Sequence, residues 1–91
     1  MDNDRRAGGD AMNAKEAVAK RIQELCFERD IAINYLANQS GVSPSTVYSM
    51  LNSKSKNPGV VSVQKICDGL QISVRSFFDS PLFDDLEQEI K

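Results

Sequence analysis

Ninety-one residues, 41% hydrophobic and 26% charged, suit one globular domain with a single modest core, and exclude a disordered or disulfide-dense chain. No apolar run approaches the roughly 18 residues of a membrane span. The N-terminal stretch MDNDRRAGGDAMNAKE has no apolar h-region, so neither a membrane association nor a secretory signal is expected. The net charge of −2 conceals an asymmetry: residues 1–12 carry −1, residues 13–78 carry +3, and residues 79–91 carry −4, so the partner question is asked segment by segment.

Residues 1–12 read as a mobile tail. Asn13-Ala-Lys-Glu16 has capping-box spacing, with Asn in place of Ser or Thr. Val18, Ile22, Leu25 and Cys26 then recur at helical spacing, which predicts a first helix to about Arg29. Residues 30–33 form a connection to a short second helix over 34–40. Gly41 stops that helix as a residue able to take positive φ. Ser43 caps a third helix with Pro44 at its first position, where a missing N–H costs nothing. Val47, Met50 and Leu51 are its apolar positions, and the polar loop Lys54-Ser-Lys-Asn-Pro-Gly59 follows. Val60, Val63, Ile66, Cys67 and Leu70 mark a fourth helix. Ser73 caps a fifth containing Val74, Phe77 and Phe78. Ser80–Pro81 repeats the cap signal and opens an acidic segment, residues 80–91. Strand-like alternation and repeats are absent. The expectation is an all-α domain of five short helices over residues 13–79.

The two cysteines, Cys26 and Cys67, form no CxxC pair, and the chain has no histidine for a structural zinc site. Both fall on apolar helix faces, where a free thiol behaves as a small buried hydrophobe; this favours reduced core thiols and a cytoplasmic protein over a disulfide. No cofactor, metal or small-molecule ligand is indicated.

The Gly-Val-Ser link between helices two and three forces a steep angle, with Leu36, Ala37, Val42, Val47 and Met50 packing the pair together. Pro44, Ser45, Tyr48, Ser49 and Asn52 are left facing outward. The stretches YLANQSGVSPSTVYSMLN, SKSKNP and VQKICDGLQISVRSFF together resemble the lambda-repressor/Cro-like helix-turn-helix family, a five-helix DNA-binding fold, over about residues 18–78. The resemblance implies that helix three enters the major groove by its N-terminal end. A helix N-terminus, with free N–H groups, is favourable beside phosphate in any case. By the resemblance Pro44, Ser45, Tyr48 and Ser49 are base-facing, while Ser43, Thr46, Asn52, Lys54 and Asn57 lie near the DNA backbone. Lys56 shares the basic loop and is equally placed for phosphate. Many family members brace a Gln opening helix two against a Gln opening helix three; here those places are Ile33 and Pro44. The first turn of helix three also lacks Arg, Gln and Asn, so the bidentate contacts to guanine or adenine are missing there. Modest direct readout is expected, with more reliance on phosphate contacts and DNA shape.

Blander readings stand beside these. Ser45, Thr46 and Ser49 could be a solvated helix face, Lys54 and Lys56 a flexible loop, and Tyr48 could pack on Leu51. Phe77 and Phe78 read as core closure rather than a stacking platform. The favoured function is a small sequence-specific regulator of transcription, a repressor, that occupies a double-stranded DNA operator. The alternative is a protein–protein interaction module on the same scaffold with little DNA affinity. An enzyme fits worst, since the carboxylates are scattered over solvated faces and the acidic end. Phe83, Leu86 and Ile90 fall at i, i+3 and i+7 of residues 80–91, one apolar stripe if that segment is helical. The stripe would either pack back on its own chain or meet a second copy in a homodimer.

Overall fold

The computed structural model describes residues 12–52 and 58–88, which form five α-helices and one 3-10 turn in chain order. Helix α1, Ala14–Arg29, begins at Asn13 with a complete capping box: the Asn13 side chain accepts from the Glu16 N–H, and the Glu16 carboxylate accepts from the Asn13 N–H. Helix α2, Ile33–Ser40, starts one residue before its sequence expectation. Gly41 ends it with φ of 70°, its N–H directed to the carbonyls of Ala37 and Asn38. Helix α3, Pro44–Leu51, follows at once, capped by Ser43. Helix α4 runs Val60–Leu70 and helix α5 runs Val74–Phe78, the latter capped by Ser73.

Two helices close left-handed without a glycine. Asp30 after α1 and Gln71 after α4 take φ of 56° and 61°, so that each cap N–H can reach the last carbonyls of its helix. The bonds gained there offset the strain of a left-handed non-glycine residue.

Every helix contributes to one core. Ile22, Leu36, Val47, Ile66, Cys67 and Phe77 are its largest fully buried side chains. Cys26 and Cys67 are both free and buried, and burial pushes both thiols up from their ordinary range, with the Asp68 charge adding to the effect at Cys67. They therefore stay neutral and pack as apolar groups. Phe77 closes the core as expected, whereas Phe78 stands 41% exposed at its edge. Among the described residues no helix is long and apolar enough to cross a membrane.

Helices α2 and α4 meet at Gly69. A Cβ there would lie 2.1 Å from Ser40 Oγ and 3.0 Å from Ser40 Cα, so the absence of a side chain is what permits the approach. Ser40 Oγ is buried and has no hydrogen-bond partner. On the other side of the core, Arg21 of α1 donates to the carbonyls of Phe77 at 2.7 Å and Ser76 at 3.0 Å, clamping α5.

The segment after α5 departs from the helical stripe. Pro81–Phe83 is a single 3-10 turn capped by Ser80, and residues 84–88 do not continue it as a helix. Phe83 packs against its own core, 4.8 Å from the Phe78 ring and 6.2 Å from the Phe77 ring. Leu86 forms a parallel bridge with Met12, and the Glu87 N–H bonds the Met12 carbonyl at 3.0 Å. Met12 is thus joined to the folded body, although the sequence placed it in the tail. The reason is physical: a short acidic segment has little helical tendency of its own, and an adjacent aromatic cluster gives Phe83 a surface. Residues 1–11 and Ile90 lie outside the described residues.

Substitutions at two glycines should separate backbone strain from steric fit in thermal melts. Gly41→Val should cost about 1 kcal/mol or more through the positive φ alone, because nothing lies within 4 Å of a Cβ there. Gly69→Ala should cost about 1–3 kcal/mol by forcing α2 and α4 apart. Adding Ser40→Ala to Gly69→Ala should recover part of that loss, since it removes the hydroxyl the new methyl would strike. An undiminished loss in the double variant would show that backbone rather than Oγ sets the contact.

Candidate nucleic-acid interface

Helix α3 is held by its apolar positions and presents the rest. Val47 and Met50 are buried, Leu51 is half-buried against the core, and Pro44, Ser45, Tyr48 and Ser49 are exposed. Tyr48 thus lies on the outer face, 52% exposed. The buried residues fix the rotation of the helix about its axis, so Ser45 and Ser49, four residues apart, share one outward line.

The start of α3 is tightly tied. Ser43 Oγ accepts from the Thr46 N–H at 3.3 Å and is hydrogen-bonded to the Thr46 hydroxyl at 2.9 Å. These two hydroxyls therefore bond each other first, and Thr46 is half-buried. Their role in the fold is capping, which leaves Ser45 and Ser49 as the forward hydroxyls. Asn52 is exposed at the other end, in an extended conformation that stops the helix. Its carbonyl accepts from Lys15 Nζ of α1, a partner no local sequence signal indicates. Ile33 is half-buried against the core, so the position where family members carry a bracing Gln is here an apolar packing position.

A shallow groove of about 310 Å³ runs between the outer face of α3 and the start of α4, lined by Ser45, Thr46, Ser49, Met50, Pro58, Gly59 and Ser62. Neither α3 nor α4 has an acidic residue in its first turn, and Gly59 gives α4 no side-chain cap. Two helix N-termini and four small side-chain hydroxyls therefore open onto one depression with no acidic residue in either first turn. That is an environment for an anionic, hydrogen-bonding surface. Ser62 and Gly59 were not singled out by the sequence, because their proximity to α3 depends on how α4 folds back. Lys54, Lys56 and Asn57 lie outside the described residues; Asn52 and Pro58 flank them. Among the described residues, no three His, Cys, Asp or Glu side chains converge to hold a metal ion.

The chain is similar to known helix-turn-helix proteins. The family model of the Cro/C1-type helix-turn-helix (HTH) DNA-binding domain matches residues 21–79. The crystal structure of the prophage Lp1 protein 11 superposes with a TM-score of 0.73 at 33% sequence identity, covering 82% of this chain and 99% of that one. The restriction-modification controller protein C.Esp1396I superposes with a TM-score of 0.63 at 23% identity, covering 70% of this chain and 81% of that one. A further structure of C.Esp1396I, bound to a 19 base pair DNA duplex, gives the same TM-score and identity over 70% of this chain and 84% of that one. No curated protein sequence matches the chain. With the family match extending over more than half its length, the chain belongs to the Cro/C1-type helix-turn-helix family of DNA-binding transcriptional regulators.

Proposed function

We propose that this protein is a sequence-specific repressor that occupies a double-stranded DNA operator in the cytoplasm, without catalysis. Ser45 and Ser49 bond base edges in the major groove, with Pro44 and Tyr48 on the same face. Ser43, Thr46, Asn52, Lys54, Lys56 and Asn57 stand at the DNA backbone. The observation that carries this reading is α3 itself: pinned by Val47 and Met50, it turns an uncharged, hydroxyl-bearing first turn outward. Small side chains let the backbone approach closely, and serine hydroxyls can accept or donate to any base. Discrimination per half-site is accordingly modest.

The test is selection of bound sequences from a random duplex pool, followed by fluorescence polarisation over a salt series. Binding should weaken steeply as salt rises. Lys54→Ala with Lys56→Ala should weaken all duplexes alike and lower the salt slope by about one per lost contact. Ser45→Ala with Ser49→Ala should instead change the selected sequence while the thermal midpoint stays within about 0.5 kcal/mol equivalent. Salt-independent or absent DNA binding would favour the protein-interaction reading.

We infer a homodimer as the form that binds, and a different surface from the C-terminal stripe, because Phe83 and Leu86 are engaged within their own chain. Val60 is 82% and Val61 63% exposed, and Val74 and Phe78 stand out from α5. Val60, Val74 and Phe78 line, with Val18 and Val63, an apolar groove of about 410 Å³ between the first turn of α1, α4 and α5. An exposed apolar face of this kind suits isologous pairing about a two-fold axis. Arg75 and Asp79 border Phe78 with opposite charge, so the rim carries both signs that an isologous contact can pair. Two weak half-sites then combine. Val60→Glu with Val74→Glu should convert dimer to monomer in analytical ultracentrifugation without DNA. An unmodified protein that stays monomeric at high concentration, alone and on a palindromic duplex, would sink this arrangement.

A further inference from the structure

The five helices end in two ways. Helices α1, α2 and α4 each close with a left-handed residue, Asp30, Gly41 and Gln71, whose N–H satisfies carbonyls of the last turn. Helices α3 and α5 do not: Asn52 is extended, with φ of −85° and ψ of 122°, and Asp79 is likewise outside the left-handed region. At both ends the cap N–H still reaches one carbonyl, that of Ser49 in α3 and of Ser76 in α5, and the partial negative charge of a helix C-terminus favours a cation beside it. In both cases a cation of α1 adds a bond there. Arg21 donates to Ser76 and Phe77 at the end of α5, and Lys15 donates to Asn52 at the end of α3. Helix α3 has no basic residue in its own last turn, so Lys15 supplies from 37 residues away what a local Lys or Arg would otherwise supply.

The consequence for α3 is geometric. The helix has eight residues, about 12 Å of axis. Its N-terminal end is fixed by the Gly41 turn and the Ser43 cap, and its rotation by Val47 and Met50. At the C-terminal end Met50 and Leu51 rest on the core, and the Lys15 bond adds a tie at Asn52, which bears on Ser49 because the Asn52 N–H bonds the Ser49 carbonyl at 3.2 Å. Lys15 is only half-exposed and lines the apolar groove beside Val18, Pro58 and Val60. Its methylene stem runs beside these apolar side chains while the ammonium reaches the Asn52 carbonyl.

We propose that Lys15 is a positioning residue for the reading helix: it anchors the C-terminal end of α3 to α1 and so sets where Ser49 stands relative to a base edge, without itself contacting DNA. This rests on the reading of α3 as the DNA-reading element. A phosphate contact and a positioning contact differ in what their loss changes. Losing a phosphate contact lowers the salt slope and leaves sequence preference alone. Losing a positioning contact lowers the preference for the selected sequence and leaves the slope alone.

The experiment compares the unmodified protein with Lys15→Met and Lys15→Arg in two measurements. The first is amide hydrogen exchange without DNA. Lys15→Met should speed exchange at Tyr48–Asn52 by about two- to fivefold, the equilibrium equivalent of a charge at a helix C-terminus, with amides of α2 and α4 unchanged. The second is the ratio of affinities for the selected duplex and an unrelated duplex over a salt series. That ratio should fall by about two- to fivefold in Lys15→Met at constant slope, and Lys15→Arg should restore both readouts. Exchange that rises equally in all helices would reduce Lys15 to a general stabiliser and overturn the proposal. So would a slope lower by about one with the ratio intact, which marks a direct phosphate contact. If the unmodified protein discriminates between no duplexes, the DNA-reading assignment of α3 fails, and unchanged exchange at Tyr48–Asn52 then separately refutes the anchor.

Discussion

Ser40 lies so close to Gly69 that a methyl group on the glycine would come within 2.1 Å of the serine hydroxyl. That approach fixes where α2 ends against α4, and much of the structure follows from it. One residue later Gly41 turns left-handed, and two residues after that Ser43 caps α3. With so few rotatable residues between them, the α2–α4 contact sets the origin of α3 and the buried Val47 and Met50 set its rotation. The cost is a buried hydroxyl without a partner, a penalty tolerated where backbone proximity matters more than hydrogen bonding.

Polar contacts in this small domain concentrate at helix ends rather than in its centre. Asn13, Ser43, Ser73 and Ser80 satisfy N-terminal N–H groups, and Arg21 and Lys15 satisfy C-terminal carbonyls of α5 and α3. Short helices have few internal bonds in proportion to unsatisfied ends, so caps and cross-helix donors carry more weight here than in long ones. Helix α1 is the exception in length, at 16 residues. It acts as a rail from which two cations reach the C-terminal ends of α3 and α5.

The outward face of α3 is neutral and small. It carries hydroxyls and a proline, with no long amide or guanidinium group in its first turn to make bidentate base contacts, and Ile33 at the start of α2 packs against the core. In the proposed regulator, affinity then comes from phosphates and from pairing two half-sites, while α3 must be held accurately for short side chains to reach at all. A serine has no length with which to correct a misplaced backbone, which is why the end of α3 matters to its reading.

The sequence by itself determined the helices and most of their boundaries, since those depend on local chemistry: the Asn13–Glu16 capping box, Ser43–Pro44, Gly41 and Ser73 each act on neighbouring residues. It also determined which face of α3 is outward, because Val47 and Met50 break an otherwise polar segment at helical spacing. The left-handed Asp30 and Gln71 were not legible, because neither is glycine and the conformation is imposed by the chain that follows. Val60 lies on the apolar spacing that marks α4, yet it is largely exposed; periodicity identifies an apolar stripe but not whether a neighbouring helix covers all of it. Only the tertiary structure decided that residues 81–83 turn back to seat Phe83 on Phe77 and Phe78, that Gly69 admits Ser40, and that Lys15 reaches Asn52 across 37 residues. Each of these joins positions far apart in the chain, and a local pattern carries no information about which distant surface a side chain will meet.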